Sequence, residues 1–221
     1  MGKRIIFLGL LFLGPAIHAI GQRVFSEGLI IYDVKVEEPL NIHARESEQF
    51  EGAKMEVMVK NKIVRTDLLV AGIDRVVIAN TKDTTAVALL NRGLDKYLIR
   101  ISRKQVEAEF APYRNIDFQE SHSNRQIAGY ACRKAVGKTR DGASLTVYYA
   151  PDLVPADPAF FPQFTGIRGV PLQFEKKVGG LRMIMTASSV NLSPLPASDF
   201  DIPTTGYKEI TQQEIEQMTG G

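Results

Sequence analysis

The side chains able to do acid–base, nucleophilic or metal chemistry are few in this chain and lie far apart. There are three histidines: His18 in an apolar leader, His43 in a polar segment and His122 in a polar run. No H-x-x-x-H spacing and no cysteine pair occur, so a dedicated zinc site has almost no ligands to draw on. A G-x-S-x-G elbow and a glycine-rich loop opening a helix are both absent. Acidic residues are scattered. Glu37-Glu38 face opposite sides of an extended chain, and Asp199 and Asp201 sit beside a proline-rich tail, which reads as solvated surface. A hydrolase would require a fold that brings His43 or His122 beside a carboxylate or serine in a cleft. The expectation is therefore no enzyme, with no catalytic residues, no metal and no cofactor. Cys132 is the single cysteine, so no intramolecular disulfide can form. It alternates with Tyr130 and Ala128 and reads as a small buried apolar residue.

Binding chemistry is better represented. Pro151–Phe164 carries four prolines and three phenylalanines, and Phe160, Phe161 and Phe164 are spaced for one face of a helical turn. Packed as a cover, these rings fill a core; set over a cavity, they guard it. Met183 and Met185 share a face of a strand, either as adaptable core filler or as the lining of a pliable pocket.

The elements that would position these side chains are short strands. Gly28–Glu37 alternates, with Ile30, Tyr32, Val34 and Val36 on one face, as a half-buried strand does. Lys54–Lys60 and Ile63–Val70 flank Asn61-Lys62, a hairpin turn pair. Arg75–Asn80, Thr85–Asn91 and Lys96–Ile101 continue a meander. Ser102–Phe110 is expected to be a short helix capped by Ser102 and ended by Pro112, and a second is placed around Asn41–Phe50. Asn115–Glu120 is expected as a strand and Ser121–Gln126 as a polar loop. A central hairpin runs through Ile127–Ala135, the Asp141-Gly142 turn and Ser144–Leu153. Val170–Val178, with Leu172, Phe174 and Val178 inward, turns at Gly179-Gly180 into Leu181–Val190. Ala197–Phe200 is expected as a single helical turn and Tyr207–Ile210 as a last strand. Thr211 and Glu214 form a capping-box signature for a helix over Gln212–Met218. So many strands in sequence imply a curved antiparallel sheet. The fold class expected is mainly β with a few short helices (α+β), a strongly curved half-open barrel under a helical lid.

Residues 1–21 have the make-up of a secretory signal peptide. Lys3 and Arg4 precede an apolar run from Ile5 to Leu13, and small residues follow, with cleavage expected before Gln22 or after Ala19. The run is shorter than the roughly 20 apolar residues that cross a bilayer. Residues 22–210 are expected to form one domain, and residues 211–221 a short helix and tail. Of the 27 lysines and arginines, Lys3 and Arg4 leave with the leader, so 25 face 25 acids. A chain without net charge has no long-range attraction to nucleic acid or to an anionic membrane.

The middle of the chain resembles the GLPGLI family of small exported envelope proteins of Gram-negative bacteria. Gly129-Tyr130-Ala131-Cys132-Arg133-Lys134-Ala135 is similar to that family's Gly-Tyr-x-Cys-x-x-Ala segment, and Tyr148–Leu153 to its aromatic strand with an acidic-aliphatic end. Gly166-Ile167-Arg168-Gly169-Val170-Pro171-Leu172 keeps both glycines of the naming motif and departs from it at Arg168, in place of its proline, and at Pro171. The layout also resembles exported domains with a LolA-like lipoprotein-carrier fold, whose ending is similar to Phe200–Pro203 through Gly206-Tyr207. The resemblance implies a strongly curved sheet with its concave face under helices, a cavity for lipid acyl chains, and no catalytic residues. The expectation for function is a periplasmic or outer-envelope protein that holds a lipid or other hydrophobic molecule through Phe160, Phe161, Phe164, Met183 and Met185. The alternative is an envelope adaptor that binds another protein through an exposed face or sheet edge.

Overall fold

The computed structural model describes residues 21–37, 50, 52–70, 73–178 and 181–219. Residues 1–20, where a signal peptide is expected, the segment 38–49 with His43 and most of the helix expected around Asn41–Phe50, and the Gly179-Gly180 turn lie outside them.

Alternation of apolar and polar residues sets the strands. In β2 (Glu27–Glu37), Ile30, Tyr32 and Val34 are buried, and in β3 (Lys54–Lys60) Met55, Val57 and Val59 are. From β2 the chain moves outward by hairpins through β3, β4 (Ile63–Val70), β5 (Ile73–Asn80), β6 (Thr85–Arg92) and β7 (Asp95–Ile101). The stretch 102–118, which contains α1 (Arg103–Phe110), then carries the chain to the other end of the sheet. There β8 (Gln119–Ile127) forms the edge, and the chain returns inward through β9 (Tyr130–Lys138), β10 (Ser144–Ala150), β12 (Val170–Val178) and β13 (Leu181–Asn191). Pairing of β13 with β2 fuses the two meanders. With β14 (Lys208–Glu209) added in parallel beside β7, the result is one sheet of 12 strands whose ends, β14 and β8, do not pair. The fold is mainly β, one large curved antiparallel sheet that is not closed into a barrel. Register shifts between Tyr148 and Tyr149, between Ala187 and Ser189, and between Ser121 and Asn124 bend its second half.

Several elements differ from expectation. Ser121–Gln126 is not a loop but part of β8, whose first eight residues are exposed, so an edge strand with neither face buried shows no alternation. Leu153 does not continue β10: Pro151 brings no N–H to the ladder, and Leu153–Pro155 forms β11, a parallel pair with β1 (Arg23–Phe25). Phe160, Phe161 and Phe164 do not share one helical face. They lie on two 3-10 turns, Pro158–Phe160 and Pro162–Phe164. Phe161 stands between the turns at φ −129°, ψ 71°, because the residue before a proline is pushed out of the α region.

The largest core cluster fills the concave face over β2, β3, β9, β10, β12 and β13. Two glycines of the Gly166-Ile167-Arg168-Gly169 sequence are there because backbones meet. A Cβ on Gly169 would fall 2.4 Å from the Ala150 carbonyl oxygen, and one on Gly166 2.8 Å from that of Ile116. Beneath them, Tyr32 is fully buried and donates a hydrogen bond to the Pro171 carbonyl at 2.7 Å. That carbonyl lies beyond the last β12–β13 register pair, Gln173 with Thr186, so the phenol takes the place of a ladder partner. Burial also pushes the Tyr32 hydroxyl far above its usual range. Replacing Tyr32 with Phe should cost about 1–3 kcal/mol, because it strands the buried acceptor, while the fold is kept. Urea unfolding with an unchanged m-value would check this, and an unchanged midpoint would refute it.

Candidate functional site

A cavity of about 420 Å³ lies against the concave face. Its floor comes from inward positions of the outer meander: Val64, Thr66 and Leu68 on β4, Val77 and Ala79 on β5, Ala86 on β6 and Ile101 on β7. In register, Val64, Ala79, Ala86 and Ile101 form one row across four strands. Small side chains in the middle of that row leave room above it. By contrast, the neighbouring half of the face carries Tyr32 and Phe174, whose rings meet edge-on at 5.5 Å, and is packed solid.

The other wall comes from the non-strand segments. Val106, Glu107, Glu109 and Phe110 of α1 line the cavity, as do Arg114 and, from the 3-10 turns, Ala159, Phe160 and Pro162. Helix α1 begins where expected. The Gln105 side-chain oxygen accepts from the Ser102 amide at 2.9 Å and from its hydroxyl at 2.6 Å. None of its residues is buried, and its apolar pair, Val106 and Phe110, is half-exposed to the cavity. The 3-10 turns are anchored by Asp157. Its carboxylate accepts from Lys62 at 2.9 Å, Thr81 at 3.0 Å and the Ala159 amide at 2.9 Å. Burial works to raise this carboxyl, but the hydrogen bonds from Lys62, Ala159 and Thr81 together hold it below its ordinary value.

The structure places three of the five residues expected to bind at the cavity: Phe160, Met183 and Met185. Phe161 is turned away and stacks on Phe25 at 6.3 Å. Phe164 packs between Phe174 at 5.2 Å and Phe118 at 6.3 Å. Most of the lining was not named from the sequence, and among those residues Lys176 on β12 and Arg75 on β5 bring charge to strand positions facing the cavity. Lys176 is opposite Met183, and its parity is that of Leu172 and Phe174, so a charge in an apolar row was the available signal. Arg75 likewise shares the parity of Val77 and Ala79. Burial, then repulsion from Arg75, pull the Lys176 ammonium below its usual range against the attraction of Glu109. Among the described residues neither Lys176 nor Arg75 makes an ion pair.

His122 is exposed on β8, away from the cavity. Cys132 is buried, and burial pushes its thiol up to about 11. Tyr149 donates to Glu120, which is 3.5 Å from Arg133; burial and then Glu120 push the phenol up to about 12. Among the described residues no group of three or more His, Cys, Asp and Glu could hold a metal ion. No helix among them is long and apolar enough to cross a membrane.

No family model and no curated protein matches the chain. Among solved structures it is similar to PNGF-II in a C2 crystal form, with a TM-score of 0.49 and 16% identity over 87% of this chain. It is also similar to MucB, with a TM-score of 0.40 and 14% identity over 81% of this chain. The chain covers 32% of the length of PNGF-II and 59% of that of MucB.

Replacing Asp157 with Ala should speed amide exchange across residues 158–165 and cost about 0.5–2 kcal/mol, as loss of a cap does. Because the folded carboxyl titrates below its unfolded value of 3.8, its contribution is full above that pH and lost as pH falls through the folded value. Wild-type exchange in this segment should therefore rise at acid pH toward that of the variant. Equal exchange in both proteins at neutral pH would show that Asp157 anchors nothing.

Proposed function

We propose that this protein is a non-catalytic binding protein that holds a hydrophobic molecule, such as a lipid or acyl chain, in the concave cavity. In this reading α1 and the two 3-10 turns act as a lid on a half-open barrel. The observation that carries the proposal is the cavity itself: about 420 Å³, floored by Val64, Val77, Ala79 and Ala86 and backed by Met183 and Met185. That volume falls within the range of about 300–1,000 Å³ typical of small-molecule sites. The state of α1 adds support. A helix with no buried residue and an apolar pair over an apolar space gains burial when the space is filled. The resemblance to GLPGLI-type and LolA-like exported domains supports the same reading, and with the leader it supports export to a Gram-negative periplasm or outer envelope.

The test is native mass spectrometry of the purified protein, followed by organic extraction, beside an Ala79→Phe variant that fills the floor. A co-purifying apolar molecule, or uptake of the neutral probe N-phenyl-1-naphthylamine, is expected in the wild type. It should fall at least about tenfold in the variant, with the melting temperature kept or raised. A wild-type protein that carries nothing and takes up no probe would overturn the proposal in favour of an adaptor that binds a protein.

A further inference from the structure

Resting on that reading, the geometry points to an anionic amphiphile as the occupant, with its chain on the Ala79 and Ala86 floor and its head group on Lys176 and Arg75. Both cations line the cavity, Lys176 half-buried and Arg75 exposed, and neither makes an ion pair among the described residues. Lys176 lies opposite Met183, within an apolar row of β12, where an unpaired ammonium gains most from an anion. The cavity lining carries three cations, Lys176, Arg75 and Arg114, against two carboxylates, Glu107 and Glu109, and so has an excess of positive charge. Glu107 and Glu109 also line the cavity but are exposed on α1, and neither forms an ion pair with Lys176 or Arg75. A carboxylate and a phosphate monoester share the required chemistry: several acceptor oxygens on one anionic group at the end of a chain.

The measurement is displacement of N-phenyl-1-naphthylamine from the delipidated full chain by dodecanoate, monododecyl phosphate and 1-dodecanol, each below its micelle concentration. At least one anion is expected to bind about tenfold or more tighter than the alcohol, and whichever is preferred identifies the head group. Lys176→Met and Arg75→Met, which keep bulk and remove charge, should lower the anion's affinity to that of the alcohol and leave the alcohol unchanged. Equal affinities in the wild type, or an anion preference that survives in the double variant, would overturn the head-group assignment while leaving cavity binding intact. If the probe and all three compounds fail to bind the folded wild type, cavity binding itself falls and the assignment with it.

Discussion

The ladder between β2 and β13 holds the fold together. It matches Leu29–Glu37 with Arg182–Asn191, so its partners are separated by most of the chain. The other antiparallel pairs of the large sheet are local hairpins, apart from β10 with β12, whose strands flank the cover turns. Without this ladder the two meanders would each expose an apolar edge. Closing so long a loop carries an entropic cost that local hairpins avoid, so the sheet is complete only once β13 has found β2. The Tyr32 hydroxyl reinforces the junction by reaching β12 as well as lying in β2, tying three consecutive strands at the point where β13 bulges.

The cavity spans that junction, with Met183, Met185 and Lys176 beyond it and the β4–β7 floor before it. On one side of it the concave face is filled by aromatic rings, and Phe161 and Phe164 close the packing. On the other side the floor residues are small and α1 reaches over them without burying a side chain. Space is left because Ala79 and Ala86 are small and Val106 and Phe110 of α1 stay half-exposed above them. Lys176 and Arg75 bring charge into the lining of the same space.

The hairpins were legible because each has two local signals, alternation and a turn residue. Asn61 adopts φ 57° between β3 and β4, and Gly142 φ 84° between β9 and β10, as their residue types suggest. The helix at Arg103–Phe110 and the capping box of α2 (Gln212–Thr219), where Thr211 and Glu214 exchange hydrogen bonds, were equally local. What escaped was non-local or had no periodicity: the exposed strand β8, the three-residue parallel pair β1–β11, and the β2–β13 junction. The candidate site was half legible. Phe160, Met183 and Met185 stood out by type, but spacing alone could not separate Phe160 from Phe161 and Phe164, because Pro162 reorients the backbone between them. Lys176 was hidden by its charge, since a lysine beside Glu175 and Lys177 reads as surface.

The short parallel pair has a mechanical consequence. Arg23–Phe25 is hydrogen-bonded to Leu153–Pro155, the Ala156 amide donates to the Phe25 carbonyl at 2.9 Å, and the Phe25 ring stacks on Phe161. Residues 23–25 are thus clipped to the segment that runs into the 3-10 turns over the cavity. Tension arriving at Arg23 would load that segment through three register pairs before it reached the large sheet. β1 therefore couples any load on Arg23–Phe25 to the turns that line the cavity, through backbone pairs that lie outside the large sheet.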